Sequence, residues 1–197
     1  YRYFYKRLSE EILRAQRYNR EISLVIMDID NFKTFNDNYG HQTGDLVLKQ
    51  LSELITRTIR SIDVVSRYGG EEFCIIMPDT NIANCGIFIE RLRTEIADFR
   101  FESEASKINS ITVSVGGAVY PYPGTSPHRL IYCSDMALLK AKSSGRNQAL
   151  MFSVNSDEMW NSPSITILNT GNVGIGTASP STKLHIITNG NNLDALT

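Results

Sequence analysis

A glycine pair between two strand-like runs constrains the fold of this chain more than any other feature. Residues 63–77 contain the two runs, and Gly69-Gly70 separates them. Glycine takes the positive φ angles of tight two-residue turns with little strain. The pattern therefore predicts a β-hairpin that turns at the glycine pair, with the carboxylates of Glu71 and Glu72 just beyond the turn.

The other apolar residues up to residue 152 recur at helical or strand spacing. Helices are predicted over 1–19, 45–59, 81–99 and 127–143, and strands over 22–29, 111–119 and 149–152. A turn is predicted at Gly116-Gly117. Strands and helices that mix without strict alternation favour an α+β domain over a doubly wound one.

The composition is that of one globular domain with a modest appendage. The chain has 197 residues, of which 42% are hydrophobic and 21% charged, with 20 Lys and Arg against 21 Asp and Glu. Because no net field attracts nucleic acid or an anionic membrane, neither is an expected partner, and an anion must be bound by local geometry. No apolar run reaches the ~18 residues that span a bilayer.

Cysteine usage and the ends of the sequence bear on its setting. Cys74, Cys85 and Cys133 are too few and too widely spaced for a disulfide framework or a clustered metal site. A reduced, cytoplasmic setting is therefore expected. The N-terminus shows no signal-peptide pattern and no initiator Met, so we interpret the sequence as part of a longer protein.

Four carboxylates are expected at one end of the predicted sheet. Asp28 and Asp30 end one strand, and Glu71 and Glu72 follow the hairpin turn. If these strands are neighbours, hard oxygen ligands converge there, which suits Mg²⁺ bound together with substrate phosphates. The glycine pair also leaves backbone open to a phosphate or base. On spacing alone, a hairpin with solvated acids is the alternative.

Five linked motifs follow one another through nearly all of residues 1–152. They are Arg67-Tyr68-Gly69-Gly70-Glu71-Glu72-Phe73; Asp28-Ile29-Asp30-Asn31-Phe32-Lys33 with Asn36-Asp37, Gly40-His41 and Gly44-Asp45; Ser114-Val115-Gly116; Asp135-Met136-Ala137-Leu138; and Lys142 with Gly145-Arg146-Asn147. In this order and at this spacing they resemble the GGDEF family, the diguanylate cyclases, in its Glu variant.

The resemblance implies a fold and a reaction. The fold is that of the nucleotidyl cyclases and polymerase palm, an α+β ferredoxin-like core whose mostly antiparallel central sheet is surrounded by helices. The reaction condenses two GTP into cyclic di-GMP and releases two pyrophosphates. Each domain holds one GTP, so the expected active form is a homodimer of half-sites. Mg²⁺ or Mn²⁺ is the expected cofactor, at two ions per GTP.

The resemblance also assigns the catalytic and metal-binding residues. Asp28, the backbone carbonyl of Ile29, and Glu71 match the metal ligands. Glu71 also matches the usual acceptor of the 3′-hydroxyl proton, and Glu72 is a candidate for part of that work. Asp30 is left open between the metal site and a structural role.

Substrate-binding positions follow from the same motifs. Asn36 and Asp45 match the residues that read guanine, since a carboxylate accepts from the N1 and amino hydrogens that adenine does not present in that pattern. His41 matches a further nucleotide contact. A surface position is the alternative for His41, and a helix N-cap is the alternative for Asp45.

The resemblance matches positive groups near the phosphates with Lys33, which it counts among the catalytic residues, and with Lys142 and Arg146. Gly69 and Gly70 match substrate-binding positions. Fixed cations stabilise charge that develops on the transferring phosphorus and on pyrophosphate. For Lys142 and Arg146 the alternative is the ordinary preference for cations at a helix C-terminus.

A product-binding site is implied on a different part of the domain. Arg60 and Asp63 match the family's RxxD inhibitory motif, and Arg91 matches a second arginine that contacts product between domains. Arginine can donate to guanine N7 and O6 with two hydrogen bonds. Product inhibition by cyclic di-GMP is therefore expected.

Two departures from the family pattern concern the edges of the domain. The Asn-Arg-Arg motif expected before Tyr1 is absent, so we expect an N-terminal sensor domain in the full-length protein and leave dimerisation of this piece open. Leu139 stands where the family commonly has Tyr, which we interpret as a change in the core. The alternatives to an active cyclase are a catalytically silent receptor for cyclic di-GMP and a fibre-associated module.

Composition changes after Phe152, where we place a domain boundary. Residues 153–197 are rich in Asn, Thr, Ser and Gly. The segment 171–186 resembles repeats of phage tail fibres and bacterial surface proteins, and a flexible polar extension or fusion scar is the alternative. No catalytic role is expected there.

Overall fold

The structure, a computed structural model, describes residues 2–102 and 110–152 and four short strands at 165–167, 173–175, 184–188 and 191–194. The helices of the described residues are α1 (Arg2–Tyr18), α2 (Phe32–Tyr39), α3 (His41–Thr58), α4 (Ile82–Asp98) and α5 (Pro127–Ser143). The strands up to residue 152 are β1 (Ile22–Ile29), β2 (Val64–Gly69), β3 (Glu72–Pro78), β4 (Val113–Tyr120) and β5 (Ala149–Met151).

The sheet is mixed, with strand order β2-β3-β1-β4-β5. β1 pairs antiparallel with β3 and with β4, whereas β4 and β5 are parallel. This is an α+β fold, as predicted. The short strands β6 (Ile165–Ile167), β7 (Val173–Ile175), β8 (Leu184–Thr188) and β9 (Asn191–Asp194) continue the order beyond β5. The rest of 153–197 lies outside the described residues, and so does most of the fibre-like segment.

The central strand separates two layers of core. All eight residues of β1 are buried, which fits a strand whose two faces are both covered. Since side chains alternate along a strand, Val25 and Met27 pack with α3 and α4, whereas Leu24 and Ile26 pack with α1 and α5. The carboxyl end of β1 therefore lies at one end of a well-packed sheet, and Asp28 is the second-last residue of the strand.

The region between β1 and α3 differs from the prediction. Residues 32–39 form α2, which was not predicted, and α3 begins at His41 instead of residue 45. Gly40, with φ at +84°, joins the two helices. Phe32, Phe35 and Tyr39 do recur at helical spacing, but the helix is only eight residues long and polar residues fill the rest of it, so the sequence analysis missed it. Asp45 lies one turn inside α3, so the helix N-cap explanation for Asp45 is wrong.

The glycine pairs also behave differently from expectation. The hairpin is confirmed, but its two-residue turn is Gly70-Glu71 between the paired Gly69 and Glu72, and neither glycine has φ in the left-handed region. The register of the two strands also shifts between Arg67 and Gly69, just before the turn.

The turn predicted at the second glycine pair is wrong. β4 runs straight through Gly116 and Gly117. Position 116 accommodates only glycine because α5 packs so closely that a Cβ there would meet backbone atoms of Ser134 and Leu138. The interpretation of Leu139 as a core residue is also wrong, since it is 57% exposed.

The state of the cysteines and the presence of membrane-spanning helices can be examined in the described residues. Cys74, Cys85 and Cys133 are free and buried, and burial raises the pKa of the Cys85 thiol to about 12. None of the helices in the described ranges combines the length and the apolar character needed to cross a bilayer.

Candidate active site

The antiparallel register brings the predicted carboxylates together. Asp28 lies directly opposite Glu72 on β3. Residues that face each other across an antiparallel pair point to the same side of the sheet, and Glu71 occupies the adjoining turn. Burial raises the pKa of Asp28, and the charges of Glu71 and Glu72 raise it further. The sheet end is thus a concentrated negative site.

Lys142 balances this charge. Its Nζ lies 2.8 Å from Oδ2 of Asp28, and the side chain reaches there because α5 crosses β4 and β1 and ends beside the carboxylates. Hydrogen bonding and charge from Lys142 lower the pKa of Asp28, opposing the larger effect of burial. When a metal ion takes the place of Lys142 beside Asp28, the flexible lysine can move to contact the phosphate that the metal accompanies.

Two further predicted cations border the same sheet end. Arg146 follows α5, and Lys33 lies on α2 three residues after Asp30, which begins the turn beyond β1. Both side chains are exposed, and neither has a carboxylate within 4 Å among the described residues. They are therefore free to meet phosphate oxygens.

The role left open for Asp30 is clarified by its contacts. Its carboxylate accepts hydrogen bonds from the hydroxyls of Thr112, at 2.8 Å, and Ser114, at 2.7 Å. It also accepts from the backbone N–H of Asn147 at 2.9 Å. With three donors bound, Asp30 is held within the protein, and the structural alternative for this residue is favoured.

The predicted guanine-reading residues lie on the α2–α3 pair. The Oδ1 atom of Asn36 is buried and has no hydrogen-bond partner among the described residues. Gly44 permits this placement, since a Cβ there would meet the Asn36 amide. Asp45 and His41 are exposed on α3 nearby. A buried acceptor without a donor is costly, so Asn36 stands out among the polar side chains of the described residues.

The donor set fits a magnesium ion that is completed by substrate. In the described ranges, no cluster of three or more His, Cys, Asp or Glu side chains is placed to hold a metal. The predicted set is two carboxylates, Asp28 and Glu71, with the backbone carbonyl of Ile29 at the end of β1. Mg²⁺ usually takes one or two protein carboxylates and fills its other positions with water and phosphate oxygens. The residues therefore suit Mg²⁺ or Mn²⁺ delivered with a nucleotide.

The predicted product-binding residues form a separate site. Arg60 donates to both carboxylate oxygens of Asp63, at 3.1 and 2.8 Å, which raises the pKa of Arg60. Asp63 is 8% exposed, whereas about half of the Arg60 side chain faces solvent. A cavity of about 220 Å³ is lined by Arg60, Asp63 and Arg91. The geometry brings together the three residues that sequence reasoning grouped.

Thr80 was missed by the sequence analysis. Its hydroxyl accepts a 2.6 Å hydrogen bond from Arg60 Nη2, and it lines the same cavity. Thr80 is 17 residues beyond Asp63 and belongs to none of the motifs, so no local signal marked it. Arg91 is paired with Glu95 at 3.7 Å, an exposed contact that a ligand can displace at little cost.

Comparison with known proteins places this geometry in a family. Residues 1–148 match the family model described as diguanylate cyclase, GGDEF domain. The response regulator PleD of Caulobacter vibrioides is 35% identical over 147 residues, which are 74% of this chain and 32% of PleD. The first relatives found are covered over between 32% and 41% of their own length.

Solved structures agree with the fold. The GGDEF domain of DgcB from Caulobacter crescentus, solved in complex with c-di-GMP, matches with a TM-score of 0.72 at 33% identity, over 77% of this chain and 86% of that chain. The active GGEEF domain of a diguanylate cyclase from Vibrio cholerae matches with a TM-score of 0.72 at 30% identity, over 78% and 97% of the two chains. The chain belongs to the GGDEF family of diguanylate cyclase domains.

Proposed function

We propose that the chain is a catalytically active diguanylate cyclase domain, which joins two GTP molecules into cyclic di-GMP in a homodimer of half-sites. One observation carries the proposal: Lys142 contacts Asp28 beside Glu71 and Glu72 at the sheet end. A domain that only binds cyclic di-GMP elsewhere has no need of a buried aspartate beside two glutamates, because the repulsion among these carboxylates costs stability.

Each GTP is oriented by residues from two sides of the sheet end. Asp45 and the Oδ1 atom of Asn36 accept from the N1–H and amino hydrogens of guanine. Lys33, Lys142 and Arg146 hold the triphosphate through charge-assisted hydrogen bonds. When bound by Asp28, Glu71 and the Ile29 carbonyl, Mg²⁺ or Mn²⁺, two ions per GTP, supplies charge neutralisation and polarises the α-phosphate.

The reaction requires two facing domains. The 3′-hydroxyl oxygen of one GTP forms a bond to the α-phosphorus of the other, and the bond from that phosphorus to the bridging oxygen breaks to release pyrophosphate. Glu71, assisted by Glu72, takes the hydroxyl proton. Lys142 and Arg146 stabilise the negative charge that grows on the departing pyrophosphate. Two such steps close the cyclic dinucleotide.

Product inhibition and domain organisation complete the proposal. Cyclic di-GMP binds at the Arg60, Asp63 and Arg91 site, where Arg60 donates to guanine N7 and O6. Residues 1–152 form the catalytic unit, and residues 153–197 are an extension with no catalytic part.

The first test is product identification. Concentrated protein is incubated with GTP and Mg²⁺, and the products are identified by mass spectrometry. Cyclic di-GMP is expected from the wild type, with at least a ~100-fold loss for Glu71→Gln, since metal binding and proton acceptance are both removed. Glu53→Gln, an exposed glutamate on α3, is the control and should retain full activity.

A second function, cyclic di-GMP binding without catalysis, is favoured by the built Arg60–Asp63–Thr80 arrangement alone. The two functions separate in the same experiment. No product at any protein concentration, together with tight binding of added cyclic di-GMP that Arg60→Ala abolishes, would establish the receptor and exclude the cyclase.

A further inference from the structure

Three consecutive residues after α5 share an unusual backbone conformation. Gly145, Arg146 and Asn147 have φ angles of +114°, +63° and +49°. Glycine adopts such angles freely, but a non-glycine residue pays a conformational cost there, and two in a row require support from their surroundings. The middle residue is the arginine assigned to the triphosphate, so the support decides where that cation lies.

Asn147 receives the support from two directions. Its backbone N–H donates to Oδ2 of Asp30 at 2.9 Å. Its side-chain Oδ1 accepts from Nη1 of Arg93 on α4 at 2.7 Å. Asp30 is itself anchored by Thr112 and Ser114, so the loop is tied to β1, to β4 and to α4 at once.

Arg93 is built for this contact. Its side chain is 6% exposed, and its Nε and Nη2 atoms donate to the two carboxylate oxygens of Glu90 at 2.9 and 2.7 Å. A buried guanidinium held by a bidentate pair keeps a fixed orientation. Its remaining Nη1 donor therefore points steadily at Asn147.

We propose that Asp30, Asn147 and Arg93 form a clamp whose function is to position Arg146, and with it the end of α5 that carries Lys142, for binding the triphosphate of GTP. The inference rests on the proposed function and adds three positioning residues to it. None of the three touches substrate. They act by holding the backbone around Arg146 at positive φ angles, which the loop would not keep without these contacts.

The clamp makes a prediction that a merely structural role does not. In the proposed site Arg146 and Lys142 contact the phosphates, whereas Asn36 and Asp45 on α2 and α3 hold guanine. Loosening the clamp should therefore weaken binding of a triphosphate much more than binding of GMP. A general loss of folding would weaken both by the same factor.

The test is calorimetric binding with Mg²⁺ of two ligands, GMP and a GTP analogue in which methylene replaces the oxygen between the α- and β-phosphorus, so that pyrophosphate cannot leave. Asn147→Gly keeps the backbone free to adopt positive φ but removes the acceptor for Arg93. Asn147→Asp keeps that acceptor. Asn19→Gly is the matched control, because Asn19 has φ at +51° at the end of α1, away from the site.

The expected result is a ~10-fold or greater loss of analogue affinity for Asn147→Gly, which corresponds to about 1.4 kcal/mol, with GMP affinity changed less than ~2-fold. Asn147→Asp should restore analogue affinity to within ~3-fold of wild type, since 3-fold is less than 1 kcal/mol. Asp30→Asn, which replaces one carboxylate oxygen by an NH₂ group, should cause the same loss of analogue affinity without a loss of GMP affinity. Asn19→Gly should change neither affinity.

Each other outcome is decisive. Equal losses for both ligands, or an Asn147→Asp variant no better than Asn147→Gly, overturn the clamp. Equal affinity of the wild type for both ligands also overturns it. A wild type that binds the analogue selectively but makes no cyclic di-GMP from GTP refutes the cyclase activity and leaves the clamp standing. A wild type that binds neither ligand refutes both.

Discussion

Asp28 and Glu72 face each other directly across β1 and β3, and both carry carboxylates on one side of the sheet. Like charges directly opposite each other on neighbouring strands repel, and Asp28, at 7% exposed, is largely shielded from water. Lys142 relieves only part of the cost, because the pKa of Asp28 stays above its usual value. The residues that give the site its chemistry therefore destabilise the ligand-free domain.

Replacing Asp28 by Asn should make the ligand-free domain more stable at pH 7. A carboxyl whose pKa is raised on folding stabilises the folded state when protonated and loses that contribution as the pH rises through its folded-state pKa. The advantage of Asp28→Asn should therefore be greatest at neutral pH and shrink towards pH 4. Urea unfolding midpoints at the two pH values measure it.

The exposed Asp37 on α2 supplies the control for this prediction, since Asp37→Asn should change the midpoint little at either pH. An advantage of Asp28→Asn that grows as the pH falls would contradict the argument. The same variant should lose at least ~100-fold in cyclase activity, because a metal ligand contributes several kcal/mol to catalysis. Stability and activity should thus move in opposite directions.

Elements with strong local signals could be predicted from the sequence to the residue. β1 (Ile22–Ile29) is a continuous apolar run, and α5 (Pro127–Ser143) begins with Pro after an N-cap at Ser126. α2 was not predicted, because its apolar face is short, with Phe32 and Phe35 in contact with the core, and polar residues of the predicted site make up the rest of the helix. The contact between Asp30 and Asn147 joins residues 117 positions apart, and no local pattern reports it.

The absence of the turn predicted at Gly116-Gly117 leads to a stability prediction. Gly116→Ala should destabilise the domain by about 3 kcal/mol or more, because the added methyl meets backbone of α5 that cannot move aside. Gly117→Ala is the matched variant. Its methyl meets mainly the flexible side chain of Met151, so a cost of about 1 kcal/mol is expected. Denaturant unfolding of both variants gives the comparison, and equal costs would refute it.

Gly44 offers a test of guanine recognition. A methyl group on Gly44→Ala would occupy the space of the Asn36 amide and displace it. We expect ~10-fold weaker GTP binding with little change for ATP, because only guanine uses the Asn36 acceptor and a lost hydrogen bond of this kind is worth about 1–2 kcal/mol. Competition binding of the two nucleotides measures the ratio. Gln42→Ala, an exposed neighbour on α3, should leave the ratio unchanged.

Thr80 tests whether the product site depends on a pre-oriented arginine. Thr80→Val keeps the shape of the buried side chain but removes the hydroxyl that accepts from Arg60 at 2.6 Å. Arg60 then retains Asp63 but loses one restraint, so affinity for cyclic di-GMP should fall by about 3- to 10-fold, the equivalent of one modest hydrogen bond. Thr56→Val, an exposed threonine on α3 whose hydroxyl donates only to the Ser52 carbonyl, is the control. Turnover of GTP at low product should stay at the wild-type rate, because Thr80 is remote from the carboxylates at the other end of β3. If the initial rate falls together with product affinity, Thr80 supports the whole sheet and not the arginine.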